Sequence, residues 1–166
     1  MPNNETRSSN MNLRRILLDT NVLLDAVDRE RKGCENARNV LRHCNGYSRC
    51  SDMGVTTPMS LKDAYYILTK RFGEPHARKC IDFLSGQLII LPFGAEECLV
   101  SIKSNEPDFE DGLIRAAAEL NEVDFIISGD RKAFQYSHIR KLTCEEYLNM
   151  TAAERKTLNH APTWEG

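Results

Sequence analysis

The 166-residue chain has no apolar run near the ~18 residues that a membrane-spanning helix needs. Its longest candidate, Leu88 to Gly94, is broken by Pro92, so no such helix is expected. It also has no CxxC pair. Cys34, Cys44, Cys50, Cys80, Cys98 and Cys144 are scattered without ligand-spaced histidines, which argues against a zinc or disulfide framework. They read as small buried hydrophobes of a reduced compartment, so a cytoplasmic location is expected. Charge of one sign is lacking too: 22 basic residues against 24 acidic give a net −2. That excludes a module whose nucleic-acid affinity comes from its overall field, though not one with a local basic patch. Residues Met1 to Asn12 hold no apolar core of a secretory signal and read as a disordered leader, residues 1–12.

What is present is an alternation. Short apolar runs at Ile16–Leu18, Met53–Thr57, Leu88–Leu91, Phe125–Ile127 and Ile139–Leu142 read as strands, the third of them buried. Between them lie stretches of helical spacing: Thr20–Val27, Cys34–His43, Met59–Phe72, Pro75–Leu84, Glu96–Ile102 and Asp108–Leu120. Pro58 suits a first helical turn, and Gly73 and Gly86 suit helix stops. Strands alternating with helices predict an α/β fold, a three-layer α/β/α sandwich around a five-stranded parallel sheet. One domain is expected over residues 13–148, followed by a tail over 149–166. In that tail Thr151 and Glu154 have the spacing of a capping box, which permits a short helix.

In an open parallel sheet, ligands sit at the carboxyl ends of the strands. Asp19 follows the first strand, and Asp130 follows the fourth after Ser128 and Gly129. Asp108, Glu110 and Asp111 crowd the start of the helix before that strand, and Asp63 lies one turn into the helix after the second. Each has an ordinary alternative role. Asp19 alone serves equally well as an N-cap, Asp111 as a partner of the helix dipole, Asp130 as a turn residue and Asp63 as a solvated charge balanced by Lys62. Together they require coincidences at one sheet edge. Two carboxylates ~5 Å apart repel by roughly 3 kcal/mol at an effective dielectric of ~20, so such a cluster takes up protons or a cation. Hard carboxylate oxygens suit Mg²⁺ or Mn²⁺. A divalent ion there polarises a phosphodiester and activates water. Metal-assisted phosphodiester hydrolysis is the chemistry these residues favour.

Asp19-Thr20-Asn21-Val22-Leu23-Leu24-Asp25, after Ile-Leu-Leu, resembles the opening motif of PIN domains, a family of metal-dependent ribonucleases. Asp108 to Leu113 resembles that family's third motif and Ile126 to Phe134 its fourth, in the right order over roughly Leu13 to Leu148. The resemblance implies that Asp19, Asp111 and Asp130 bind Mg²⁺ or Mn²⁺. Asp63 falls where the second-motif acid, usually Glu, is expected, so the implied catalytic set is Asp19, Asp63, Asp111 and Asp130. Asn21 and Ser128 resemble supporting polar residues, with Asp108 and Glu110 as further supporting acids. Gly112 stands where Ala is more usual, which weakens that helix. The activity implied is an endoribonuclease in which metal-activated water attacks the phosphodiester. Many small members resembling this chain are VapC-like toxins of toxin–antitoxin pairs. RNA as substrate, a protein antitoxin and a homodimer follow as implied partners. The alternative is a PIN-like scaffold or RNA-binding protein with a weakened metal site.

RNA beside an acidic site needs basic groups, and Arg29, Arg31, Lys32, Arg131 and Lys132 are the candidates for positioning its backbone, all expected near the active edge. Arg14 and Arg15 precede the first strand and are expected at the opposite end. A haloacid-dehalogenase-type phosphatase needs a second Asp two positions after the first, where this chain has Asn21.

Overall fold

The computed structural model describes residues 13–44 and 52–159. Strand β1 (Arg15–Leu18) sends Ile16 and Leu18 to one face of the sheet and Leu17 to the other, all three fully buried. A strand buried on both faces is what a parallel sheet between helical layers requires. It is joined by β2 (Met53–Thr56), β3 (Ile89–Ile90), β4 (Phe125–Ile127) and β5 (Arg140–Leu142) in the order β3-β2-β1-β4-β5, every neighbour parallel. On one face, helices α1 (Thr20–Val27), α2 (Cys34–Cys44), α3 (Pro58–Phe72), α4 (Glu74–Gln87) and α7 (Cys144–Asn159) enclose a core that includes Leu23, Val40, Ala64, Leu84 and Tyr147. On the other, α6 (Phe109–Leu120) lays Ile114 and Ala118 on Leu17, Val55 and Ile126, while α5 (Ala95–Lys103) packs on α6. This is the expected three-layer α/β/α architecture.

Chain order places the strand neighbours of β1 far apart in sequence. The chain moves outward from β1 through β2 to β3, then returns across α5 and α6 to place β4 on the other side of β1. The order therefore reverses between β1 and β4. The crevice at their carboxyl ends is the switch point at which such sheets bind ligands.

The structure corrects several expectations. The third strand is not buried throughout: Ile89 and Ile90 are exposed at the sheet edge, and the flanking Leu88 and Leu91 go inward instead. Phe72 and Leu120, which end two of the stretches read as helical, are also exposed. The last helix starts before the expected tail, and Asn149 lies inside it. Its capping box is an earlier T-x-x-E: Thr143 N–H donates to Glu146 Oε2 at 2.7 Å and Glu146 N–H to Thr143 Oγ1 at 3.2 Å. Thr151, expected to start a helix, instead donates back to the Leu148 carbonyl at 3.1 Å. Residues 1–12 and Cys50 lie outside the described residues. Among the described residues no helix is long and apolar enough to cross a membrane.

Gly112 has a packing reason. A Cβ there would stand far inside contact distance of Ser101 Oγ on α5, and that hydroxyl donates to the Phe109 carbonyl at 3.1 Å. The glycine is what lets α5 and α6 close.

The amino end of the sheet holds a buried ionic cluster that sequence reading missed. Asp52, just before β2, accepts Arg14 Nε at 3.0 Å, Arg14 Nη2 at 2.9 Å and the Tyr147 hydroxyl at 2.6 Å. His43 Nε2 lies 3.6 Å from the same carboxylate, with its ring edge-on to Tyr147. The cluster ties β1 and β2 to α2 and α7. Burial alone would raise the Asp52 pKa, but the nearby His43 imidazole, Arg14 and Tyr147 overcome this and hold it at about 2. Arg14 is thus at the end opposite the acids, as expected.

This packing sets two stability expectations. Asp52→Asn should lower stability at pH 7 by about 2 kcal/mol, read by urea unfolding. Because the folded pKa lies below the unfolded value, the wild type's advantage should be complete above about pH 4 and shrink as pH falls toward 2. Gly112→Ala should lose roughly 1 kcal/mol or more, although helix propensity alone favours Ala by a similar amount. A gain in thermal midpoint would overturn the packing explanation.

Candidate active site

Asp19 ends β1 and begins α1, so one carboxylate both caps a helix and faces the switch point. Its Oδ1 accepts the Thr20 N–H at 2.7 Å. Its Oδ2 accepts Asn21 Nδ2 at 2.7 Å and Ser128 Oγ at 2.8 Å. A carboxylate has about four lone-pair sites. Both of those on Oδ2 are taken, and one on Oδ1 stays open. Asp19 is only 5% exposed. Burial raises its pKa, the Ser128 and Thr20 bonds pull it down, the charge of Asp130 pushes it up again, and the net direction is upward.

The loop after β4 is built on the same contacts. Ser128 N–H continues the ladder to the Leu142 carbonyl at 3.0 Å, which fixes its hydroxyl beside Asp19. Asn21 Oδ1 accepts the Gly129 N–H at 2.8 Å, and Ser128 Oγ accepts the Asp130 N–H at 3.1 Å. Asp130 Oδ1 accepts the Lys132 N–H at 2.7 Å and the Ala133 N–H at 3.3 Å. Lys141, on β5, closes the turn by donating Nζ to the carbonyls of Asp130, Arg131 and Ala133, at 2.6, 3.1 and 2.7 Å. Sequence reading missed Lys141, since nothing in a lysine eleven residues on from Asp130 marks it as a loop anchor.

The remaining acids come from the helices on either face. Asp108 caps α6, accepting the Glu110 and Asp111 N–H groups at 2.8 and 3.3 Å. Asp63, one turn into α3, is paired with Lys62 at 2.7 Å. A cavity of about 840 Å³ is lined by Asp19, Asp63, Asp108, Glu110, Asp111 and Asp130, together with Asn21 and Lys62. All six predicted acids therefore share one hollow. Asp111 carries the electrostatic strain: burial first, then the charges of Asp108, Asp19, Asp130 and Glu106, push its carboxyl up to about 6. Glu106 itself was missed. Its side chain is fully buried against Arg115 and the Tyr136 N–H, each at 3.3 Å from Oε1, while Oε2 has no partner.

The basic candidates divide. Arg131 and Lys132 are exposed beside Asp130. Arg29, Arg31 and Lys32 do not line the acidic cavity; they line a separate hollow with Arg38 and Arg42. The reason is the length of α1: eight residues carry the chain about 12 Å from Asp19 before that loop begins.

Among the described residues, no three His, Cys, Asp or Glu side chains stand close enough to hold a metal ion by themselves. The donor set still fits a hard divalent cation, because Mg²⁺ characteristically takes one or two carboxylates and keeps several waters. Burial first, and the charge of neighbouring acids after it, raises the pKa of Asp19 and of Asp111, and a bound cation would offset both effects.

The sequence matches the family model of the PIN domain over residues 15–132, and the chain belongs to the PIN-domain family. No curated protein matches it. Among solved structures it is similar to a chain of the DNA-bound VapBC complex from Salmonella typhimurium, with a TM-score of 0.61 at 12% identity over 80% of this chain and 99% of that one. A Pyrobaculum aerophilum protein gives 0.60 at 16% identity, over 84% and 90%. VapC20 of Mycobacterium tuberculosis, a sarcin-ricin loop cleaving toxin, gives 0.54 at 14% identity, over 67% and 86%. At these identities the likeness is one of fold.

The strain at Asp111 yields a stability prediction. In EDTA at pH 7.5, Asp111→Asn should unfold at a higher temperature than the wild type, by an amount corresponding to roughly 1–2 kcal/mol. The folded pKa of about 6 lies above the unfolded value. The penalty is therefore full above pH 6 and should vanish as pH falls below about 4. Equal midpoints across that window would show that the charged Asp111 carries no penalty in the folded chain.

Proposed function

We propose that this PIN-domain chain is a metal-dependent endoribonuclease, and that it acts as a toxin opposed by a protein antitoxin. The observation that supports this most directly is the set of six carboxylates around one cavity at the β1–β4 switch point, with Asp19 held there by Ser128 and Asn21. The relatives in fold lend weight, since they include a toxin–antitoxin complex and a sarcin-ricin loop cleaving toxin.

Asp19, Asp111 and Asp130 would hold Mg²⁺ or Mn²⁺, which supplies Lewis acidity toward the scissile phosphate and toward the attacking water. The chain's own residues do the rest. Asn21 and Ser128 fix the Asp19 carboxylate in one rotamer, so that its open lone pair faces the cavity. Asp63 orients the attacking water and takes its proton, since its pairing with the exposed Lys62 is easily exchanged. Asp108 holds the first turn of α6, and with it the direction of Asp111. Glu110 adds negative charge at the rim. Arg131 and Lys132 meet the RNA backbone beside Asp130. A homodimer belongs to the same reading: Leu99, Ile102 and Phe109, all more than half exposed, give a second copy apolar surface to bury. The cytoplasm, where RNA is plentiful and cysteines stay reduced, is the compartment of action.

A second reading, a catalytically weakened PIN-fold RNA-binding or scaffold protein, draws on Asp63, one methylene shorter than the Glu usual in the second motif. One experiment separates the two. Purified cellular RNA incubated with the protein and Mn²⁺ or Mg²⁺ should give discrete products that EDTA abolishes. Asp19→Asn should slow their appearance by about a hundredfold or more, and Mn²⁺ should raise the wild-type thermal midpoint by mass action. Intact RNA together with an unmoved midpoint would establish the scaffold.

A further inference from the structure

The chain's cations are concentrated where the acids are not. Two adjoining hollows of about 470 and 500 Å³ lie on the far side of α1 from the acidic cavity and share Arg29, Arg38 and Arg42. Arg31, Lys32 and Lys79 complete the basic lining, and Glu35 is the only acid among the described residues of either hollow. The geometry is regular. Arg38 and Arg42 are one turn apart on α2, and Lys79 and Phe83 are one turn apart on α4, so each helix presents a pair to the groove. Phe83 is 50% exposed there.

Most of these cations lack an acidic partner. Arg31 pairs with Asp25, and outside the groove Arg71 pairs with Asp28 and Glu30. Among the described residues no acid pairs with Arg29, Lys32, Arg38, Arg42 or Lys79: Arg38 donates Nε to the Ala26 carbonyl at 3.0 Å and Arg42 donates to Asn39. In a chain of net charge −2, five unneutralised cations around one groove hold a local excess that like-charge repulsion opposes. A polyanion offsets it.

We propose that this groove, between α2 and α4, binds the backbone of single-stranded RNA, with Phe83 as a stacking platform for a base. The proposal deepens the ribonuclease reading and rests on it for the choice of nucleic acid. A basic groove with an exposed aromatic side chain on its wall is the arrangement by which single strands are held without sequence preference. Arginine forks match phosphate oxygens two at a time. A peptide of acidic residues alone, such as polyglutamate, would use the cations and leave the half-exposed ring uncovered. The path to the acids is short, because α1 lines both hollows: Asn21 and Leu24 face the acidic cavity, and Ala26 and Val27 the groove. An RNA strand lying across α1, about 12 Å long, is held at one end and presented to the carboxylates at the other.

The test is binding of a fluorescein-labelled single-stranded oligoribonucleotide to the full chain in EDTA, by anisotropy, at several salt concentrations. No cleavage is needed for this readout, so it does not depend on the nuclease being active. Arg42→Gln/Lys79→Gln should weaken binding about tenfold and reduce the salt slope by about 1.4, at about 0.7 for each phosphate left without its cation. Arg29→Gln/Lys32→Gln, confined to an exposed loop, should do the same without touching helix packing. Phe83→Ala should weaken binding about fivefold or more at an unchanged slope, and Lys103→Gln, on α5, should change nothing. Groove variants that bind like Lys103→Gln overturn the proposal, as does competition by polyglutamate that matches RNA of equal charge. If the wild type cleaves RNA and the groove variants keep its KM, the groove fails while the nuclease stands. If salt-dependent binding is abolished in the groove variants but nothing is ever cleaved, the groove stands and the nuclease fails.

Discussion

The hydrogen bond from Ser128 Oγ to Asp19 Oδ2 joins the loop after β1 to the loop after β4, two segments that chain order alone would leave unrelated. The bond exists because β4 inserts beside β1 after the excursion through β2 and β3, and the ladder continues one residue past each strand: Asp19 N–H reaches the Ile127 carbonyl and Ser128 N–H the Leu142 carbonyl. Asn21 then bridges the same pair from α1. With these bonds in place, a buried carboxylate is kept in one orientation despite the cost of its desolvation. The other acids are arranged around it.

That arrangement stores energy at the site. The turn that carries Asp111 is held in place, capped by Asp108 and packed, through Gly112, against α5. At the opposite end of the sheet the polarity is reversed: one buried acid, Asp52, is shared by Arg14 and Tyr147, and its charged form is stabilised. The two ends therefore respond to acid in opposite senses. Protonation relieves the carboxyl edge and undermines the amino edge. The amino-end cluster holds the layers together, whereas the carboxyl-edge cluster is a cost that a folded scaffold can carry.

Sequence reading recovered the parts governed by period and position. Ile16–Leu18, Phe125–Ile127 and the helices from Thr20 and Pro58 declare themselves by apolar spacing, and the strand-end rule puts Asp19, Asp111 and Asp130 at one edge. What it missed depends on tertiary distance. Lys141 anchors the Asp130 loop from a neighbouring strand, and Glu106 reaches Asp111 from the α5–α6 connection. Asp52 meets Tyr147 across 95 residues of chain. The Arg29–Lys32 loop was misplaced for a simpler reason: it follows Asp19 closely in sequence, yet α1 carries it away from the active edge. Gly112 read as a weak helix former because the hydroxyl of Ser101 that excludes a methyl there belongs to another helix.

Under the proposed function, charge distribution is what would let a chain that is nearly neutral overall approach RNA. Around the acidic cavity the one basic lining residue among the described residues is Lys62, 58% exposed and tied to Asp63. An exposed ion pair of this kind contributes little, so it neither neutralises the cavity nor locks Asp63 away from solvent. A phosphate strand brought to six carboxylates lined by this one lysine would be repelled, with only Arg131 and Lys132 beyond the lining to offset it. Under the proposed RNA-binding reading, further attraction comes from the groove cations, where the field of the acids is weakened by distance and by solvent screening. In the proposed reading, affinity and chemistry are separated along α1. The loop that looked misplaced, and the acids that looked overcrowded, would then be two halves of one electrostatic arrangement: a surface to draw in a polyanion, and an edge where its backbone would meet carboxylates neutralised by a cation.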